Sequence, residues 1–116
     1  MSAKFTVRPV EGRSIVVVDV AGRITLGEGA LGLRETIIDL VDKGQKDILL
    51  NLADVSYIDS SGILELVEGF KKVTNQGGQL KLLNLTRRVK DLFQITKLYT
   101  VFDVHDDEAA AVHSFV

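Results

Sequence analysis

The sequence predicts an α/β domain in which a mixed, mainly parallel sheet is covered by helices. Short β-branched or leucine-rich runs alternate along the chain with segments whose apolar residues recur at helical spacing. Strands that alternate with helices require right-handed crossovers, and these produce a mainly parallel sheet. The chain has 116 residues, 46% of them apolar, which is enough core for a single domain expected over residues 1–116.

The first half of the chain predicts a hairpin, a helix and a buried strand. Residues 4–10 alternate weakly and carry the only proline, Pro9, which favours a short edge strand. Residues 14–21 are β-branched and nearly continuous, as in a strand covered on both faces and closed by the glycine that follows. Apolar residues at 33, 37, 40 and 41 form one helical stripe, and residues 47–52 form a leucine-rich buried strand.

The second half predicts three more helices and two more strands. A stripe over residues 63–73 marks a helix that two glycines end, and residues 79–85 form a strand. Thr86 can cap a short helix, residues 99–104 form a last short strand, and the acids at 106–108 open a terminal helix. The predicted order is therefore β-β-α-β-α-β-α-β-α, with about five strands, about four helices and an antiparallel edge from the opening hairpin.

Composition excludes several classes of function. The chain has 14 basic and 16 acidic residues, a net charge of −2, whereas direct nucleic-acid binding needs a clustered basic excess. The short basic clusters at 71–72 and 87–90 are interpreted as solvated helix faces. Cysteine is absent, and no apolar run reaches the roughly 20 residues needed to span a bilayer. Residues 1–6 lack a signal-peptide core, so we expect a cytoplasmic protein without membrane insertion.

A glycine motif of the form G-x-G-x-x-G occupies residues 27–32, and Asp54 follows at roughly the spacing of a ribose-binding acid. This pattern is compatible with dinucleotide binding. Glu28, however, places a carboxylate where the backbone would hold a pyrophosphate, and about five strands are too few to enclose a dinucleotide. We interpret the segment as a flexible strand-to-helix connection and predict no cofactor.

The two histidines give no sign of a catalytic or metal site. His105 is expected in a loop and His113 in the last helix, eight residues further on. The sequence contains no H-x-x-x-H pair, no G-x-S-x-G elbow and no P-loop. We interpret both histidines as surface residues and predict neither catalytic residues nor metal ligands.

The most informative segment is Asp59-Ser60-Ser61-Gly62, where a buried strand leads into a helix start that bears two hydroxyls. One interpretation is simple capping, in which Asp59 or Ser60 accepts a hydrogen bond from an unpaired helix amide. The other is that one serine faces solvent and is modified. A phosphoryl group there would lie against free amides at the positive end of the helix and would add about −1.5 to −2 charges.

With these residues the sequence resembles the STAS domain, the sulfate-transporter and anti-sigma-factor-antagonist family, in its free-standing bacterial form. The resemblance extends over residues 5–115. It is carried by the acid-serine-serine-glycine segment (59–62) and by the strand before it (49–52, with Val55 and Ile58). The segment that begins with the glycine pair (77–80) and the last helix-strand stretch (89–93 and 98–102) also carry it.

The resemblance implies an anti-sigma-factor antagonist that acts as a phosphorylation-controlled binding switch and is not an enzyme. The serine that follows the aspartate in such proteins, here Ser60, is phosphorylated by a serine kinase that is also the anti-sigma factor, a histidine-kinase-like ATPase. A serine phosphatase restores the free form, and Ser61 is the weaker alternative for the modified residue. The implied partner surface consists of Thr25, Asp59, Ser60, Ser61, Gly62 and Ile63.

Two stretches depart from the family pattern. Residues 22–25 read Gly-Arg-Ile-Thr where members often carry Gly-Glu-Leu-Asp, an acid of the kinase-facing surface. Residues 62–64 read Gly-Ile-Leu where Gly-Leu-Gly is usual. These departures leave open an alternative function, a non-phosphorylated STAS scaffold or a transporter-associated subunit.

Overall fold

The structure is a computed structural model that describes residues 3–115, so residues 1, 2 and 116 of the expected domain lie outside it. Five strands, four α-helices and one 3₁₀ turn follow one another over this range. Their bounds are β1 Ala3–Pro9, β2 Ile15–Ile24, α1 Glu28–Asp42, β3 Asp47–Ile58, α2 Ser60–Asn75, β4 Gln79–Leu83, α3 Arg87–Thr96, the 3₁₀ turn Leu98–Thr100, β5 Val104–His105 and α4 Glu108–Ser114.

The five strands form one sheet in the order β1-β2-β3-β4-β5. Strand β1 pairs antiparallel with β2 at one edge, and every later pair is parallel. The predicted fold class is therefore confirmed, including its antiparallel edge and the order of its elements. Among helices within residues 3–115, none is long and apolar enough to cross a membrane.

The two faces of the sheet are covered unequally. Alternate residues of β2 and β3, such as Val18 and Leu50, pack with helices α1, α2 and α3 in the larger core. The residues between them, such as Val17 and Leu49, pack under the short helix α4 with Phe115. Because α4 covers only one end of its face, the other end of that face, at the carboxyl-terminal ends of the parallel strands, has no helix over it within residues 3–115.

Two predicted strands are longer than the sequence indicated. Strand β2 continues past Gly22, whose φ is 105°, and β3 continues past residue 52. Register shifts in β2–β3 pairing realign the two strands so that Arg23 pairs with Tyr57 and Ile24 with Ile58. The extensions matter for function, because they carry both strands to the start of helix α2.

The predicted last strand is present, but its predicted bounds of 99–104 are wrong. Leu98 begins a 3₁₀ turn, and the Phe102 amide donates to the Leu98 carbonyl oxygen over 3.0 Å. The side chains of Leu98 and Phe102 are both buried in the larger core. The Phe102 ring packs edge-on to Phe70, with ring centroids 5.3 Å apart. Strand β5 is consequently reduced to Val104–His105.

The glycine motif at 27–32 is not a flexible connection, because it lies almost wholly within the first turns of α1. A Cβ at Gly29 would overlap the backbone carbonyl oxygen of Arg23, and one at Gly32 would lie 2.7 Å from the Phe5 ring. These glycines therefore let α1 approach the sheet closely. Asp54 is exposed in the middle of β3 rather than at its end.

The histidines also differ slightly from expectation. His113 is exposed on α4, as predicted for the last helix. His105 lies in β5 rather than in a loop, is partly buried, and its Nε2 is 2.9 Å from a carboxylate oxygen of Asp103. Within residues 3–115 no group of three or more His, Cys, Asp or Glu side chains could hold a metal ion.

Candidate functional site at the start of helix α2

Asp59 caps helix α2. Its backbone is extended, with φ −101° and ψ −174°, and its Oδ1 accepts a hydrogen bond of 3.0 Å from the Gly62 amide. Its carbonyl oxygen accepts the first helical bond, from the Ile63 amide, at 3.0 Å. Of the two caps that the sequence allowed, Asp59 rather than Ser60 is therefore the one used.

The same carboxylate holds the loop between β2 and α1. Asp59 Oδ2 accepts a hydrogen bond of 2.9 Å from the Leu26 amide, and the Asp59 amide donates to the Ile24 carbonyl oxygen over 3.3 Å. The Leu26 and Gly62 amides lower the pKa of Asp59, because they stabilise its ionised form. One ionised side chain thus joins two loops that are far apart in sequence.

Gly62 is buried where the first turn of α2 meets the end of β2. A Cβ at this position would overlap the Ile24 carbonyl oxygen and lie 2.8 Å from the Ile58 side chain. Only glycine lets the helix approach β2 this closely. Gly62 therefore supports the site from beneath and presents no side chain at the predicted partner surface.

Ser60 occupies the first helical position and is exposed. Its hydroxyl makes no hydrogen bond to any residue within the described range 3–115. Ser61 is partly buried. The structure thus brings the two candidate serines next to the cap, and of the two only Ser60 is exposed.

Two of the amides at the start of α2 are already bonded and are not free to hold a Ser60 phosphate. The Gly62 amide is bonded to the Asp59 carboxylate, and the Ile63 amide is bonded to the Asp59 carbonyl oxygen. A phosphoryl group on Ser60 would stand beside an ionised carboxylate that already uses the positive helix end. The Gly62 and Ile63 amides are therefore not available to such a group while Asp59 keeps the cap.

The remaining predicted surface residues are less exposed than expected. Thr25 is partly buried and its carbonyl oxygen accepts a bond of 2.9 Å from the Ala30 amide, while Ile63 packs partly against the core. Two apolar side chains nearby are exposed, Leu26 with 80% and Leu64 with 54% of its surface; the departure at 62–64 pointed to Leu64, whereas sequence reasoning missed Leu26. Leu64 lies one position off the apolar stripe of α2, and this was the available signal.

The fold and this helix start define a small α/β module that presents a capped helix and its flanking loop at the carboxyl-terminal ends of parallel strands. Residues 7–111 match the family model described as the STAS domain. The chain belongs to the STAS domain family, as the sequence resemblance indicated.

Named relatives and similar structures agree with this assignment. The anti-sigma-B factor antagonist of Bacillus subtilis (strain 168) is 42% identical over 89 residues, which cover 77% of this chain and 80% of that protein. A crystal structure from Thermotoga maritima, provisionally assigned as an anti-sigma factor antagonist, has a TM-score of 0.87 at 23% identity and covers 96% and 93% of the two chains. The phosphorylated form of the Bacillus cell fate determinant SpoIIAA has a TM-score of 0.72 at 22% identity and covers 95% and 97%. The chain is a regulatory binding protein of this family and not an enzyme.

Proposed function

We propose that this chain is an anti-sigma-factor antagonist whose docking is switched by phosphorylation of Ser60. Its partners would be an anti-sigma factor of the histidine-kinase-like ATPase type, which also phosphorylates it, and a serine phosphatase that reverses the modification. The proposal includes a cytoplasmic location and one STAS domain spanning the chain. It rests on kinship with proteins named anti-sigma-B factor antagonists and on the site.

The observation that carries the proposal is the exposed Ser60 hydroxyl on a helix start that another residue already caps. Because Asp59 makes the capping bonds, Ser60 can be modified without loss of a structural hydrogen bond. A phosphoryl group would add about −1.5 to −2 charges at this exposed point. That charge would act on whatever docks here, not on the stability of the fold.

Phosphorylation with purified components tests the residue. The chain is incubated with Mg-ATP and a histidine-kinase-like anti-sigma factor from the same cell, and the sites are mapped by mass spectrometry. We expect one phosphoserine, absent in Ser60→Ala and retained in Ser61→Ala. Unchanged labelling of Ser60→Ala would reject Ser60 as the site.

Binding of the same anti-sigma factor separates a switch from a constitutive scaffold. Isothermal titration should give a lower affinity for the phosphorylated chain than for the unmodified one, at equal fold stability. A scaffold or a transporter-associated subunit would bind its partner equally well in both states, which would contradict the proposed switch.

A further inference from the structure

Two arginines lie over one tyrosine ring beside the start of α2. Arg23 and Tyr57 are paired residues at the ends of β2 and β3, and Arg88 belongs to the first turn of α3. The guanidinium carbons are 5.3 Å and 5.8 Å from the ring centroid, within the range of cation–π attraction. We call these three residues the Arg–Tyr–Arg cluster. Tyr57 has 37% of its surface exposed, so the cluster is open to solvent.

The charges of the cluster are not neutralised within the described chain. Arg8 and Arg34 form ion pairs with carboxylates, whereas neither arginine of the cluster has such a pair among residues 3–115. Two cations that share one ring repel each other, and the ring compensates for only part of that repulsion. A bound anion would relieve it, and this makes the cluster a site for negative charge.

An apolar groove of about 280 Å³ runs from the cluster along α3. Leu92 and Ile95 line it, and Ile95 has 79% of its surface exposed although it carries no polar atom in its side chain. Asp91 stands at the side of the same groove and is its one carboxylate within the described chain. The groove therefore offers an aliphatic contact next to two positive charges.

We propose that the Arg–Tyr–Arg cluster and this groove bind an acidic segment of a partner protein, with its carboxylates on Arg23 and Arg88 and an aliphatic side chain on Ile95. Charge complementarity selects an acidic segment, and the apolar lining selects a protein over a nucleic acid. The net charge of −2 and the carboxylate of Asp91 also disfavour a polyphosphate backbone. This surface lies beside the start of α2 and uses residues other than Ser60.

The test is an NMR titration of the full chain with a capped peptide, Glu-Glu-Leu-Glu-Glu-Leu-Glu-Glu. We expect saturable amide shifts centred on Arg23, Tyr57, Arg88 and Ile95. The double variant Arg23→Glu/Arg88→Glu should weaken binding by about tenfold or more, since both ion pairs become repulsive.

Matched variants and probes make the outcome decisive. Lys46→Glu changes an exposed residue at the opposite end of β3 and should leave the affinity unchanged, whereas Asp91→Asn should raise it. Ser60→Ala should bind the peptide as the wild type does, so the result is independent of the phosphorylation test. Equal binding of the glutamine version of the peptide, shifts centred elsewhere, or tighter binding of a single-stranded oligonucleotide at these residues would each overturn the proposal. Unfolding midpoints confirm that every variant is folded.

Discussion

Replacing Gly62 by alanine tests whether close contact between α2 and β2 supports the site. The added Cβ would overlap the Ile24 carbonyl oxygen and lie 2.8 Å from Ile58 Cγ2 and 3.0 Å from Ile24 Cγ2. A backbone carbonyl cannot rotate out of the way as a side chain can. The first turn of α2 must therefore move outward, and this would stretch the bond from the Gly62 amide to Asp59.

The expected cost follows from two opposing contributions. Forcing a methyl group into a packed site costs about 1–3 kcal/mol. Alanine in place of glycine favours a helix by up to about 1 kcal/mol, and by less in the first turn. The net loss is about 1–2 kcal/mol in the free energy of unfolding. For a domain of this size we expect the Tm to fall by about 4–8 °C.

Gly69→Ala is the matched control, because it makes the same change in the same helix. A Cβ at Gly69 would lie 2.5 Å from Ile37 Cδ1, the movable end of a side chain, and more than 3.5 Å from the other Ile37 atoms. We expect its Tm to stay within about 3 °C of the wild type, since the helix gain offsets a small displacement. Calorimetry of both variants compares them directly. A Gly62→Ala protein at least as stable as Gly69→Ala would refute the reasoning.

Three further predictions concern charge at and around the site. Ser60→Asp should leave the Tm within about 2 °C of the wild type, because the residue is exposed, while isothermal titration shows weaker binding of the proposed anti-sigma factor. Asp59→Asn should be less stable than the wild type at neutral pH, because the pKa of Asp59 is lowered in the folded state. Urea unfolding should show this difference in stability disappearing as the pH falls below about 4. Arg8 donates to the carboxylates of Asp19 and Glu108 and lowers the pKa of both, so Arg8→Met should cost about 1 kcal/mol at pH 7, and that cost should also shrink below about pH 4. If the stability lost in Asp59→Asn or in Arg8→Met stayed constant down to about pH 2, the ionised carboxylates would not be the cause of that loss.

The order of elements could be predicted because the buried strands are nearly continuous apolar runs. Their ends could not, because β2 and β3 extend beyond the cover of α4 and their outer faces carry polar residues there. In β3, for example, Asp54 and Ser56 are exposed between buried Leu52, Val55 and Ile58. This irregular burial pattern follows from the shifted register. It resembles neither the alternating pattern of a half-buried strand nor the continuous apolar run of a fully buried one.

The site was predictable only as far as its signals were local. A helix start was evident from Asp59 and the serines, since acids and hydroxyls favour that position. The bond from the Leu26 amide to Asp59 spans 33 positions in sequence and depends on the pairing of β2 with β3. The Arg–Tyr–Arg cluster likewise combines side chains from two strands and a helix, so no stretch of sequence could indicate it.

The position of Asp59 determines how a phosphate on Ser60 could act. To bind the Leu26 and Gly62 amides, a phosphate would have to displace the Asp59 carboxylate from them. That exchange would leave the Asp59 carboxylate without its hydrogen bonds beside the phosphate, so it offers no net gain in free energy. A phosphate that leaves the cap in place instead adds its charge to that of an ionised carboxylate on one exposed surface. The proposed switch would therefore work through electrostatic repulsion of the partner, with the fold of the antagonist unchanged.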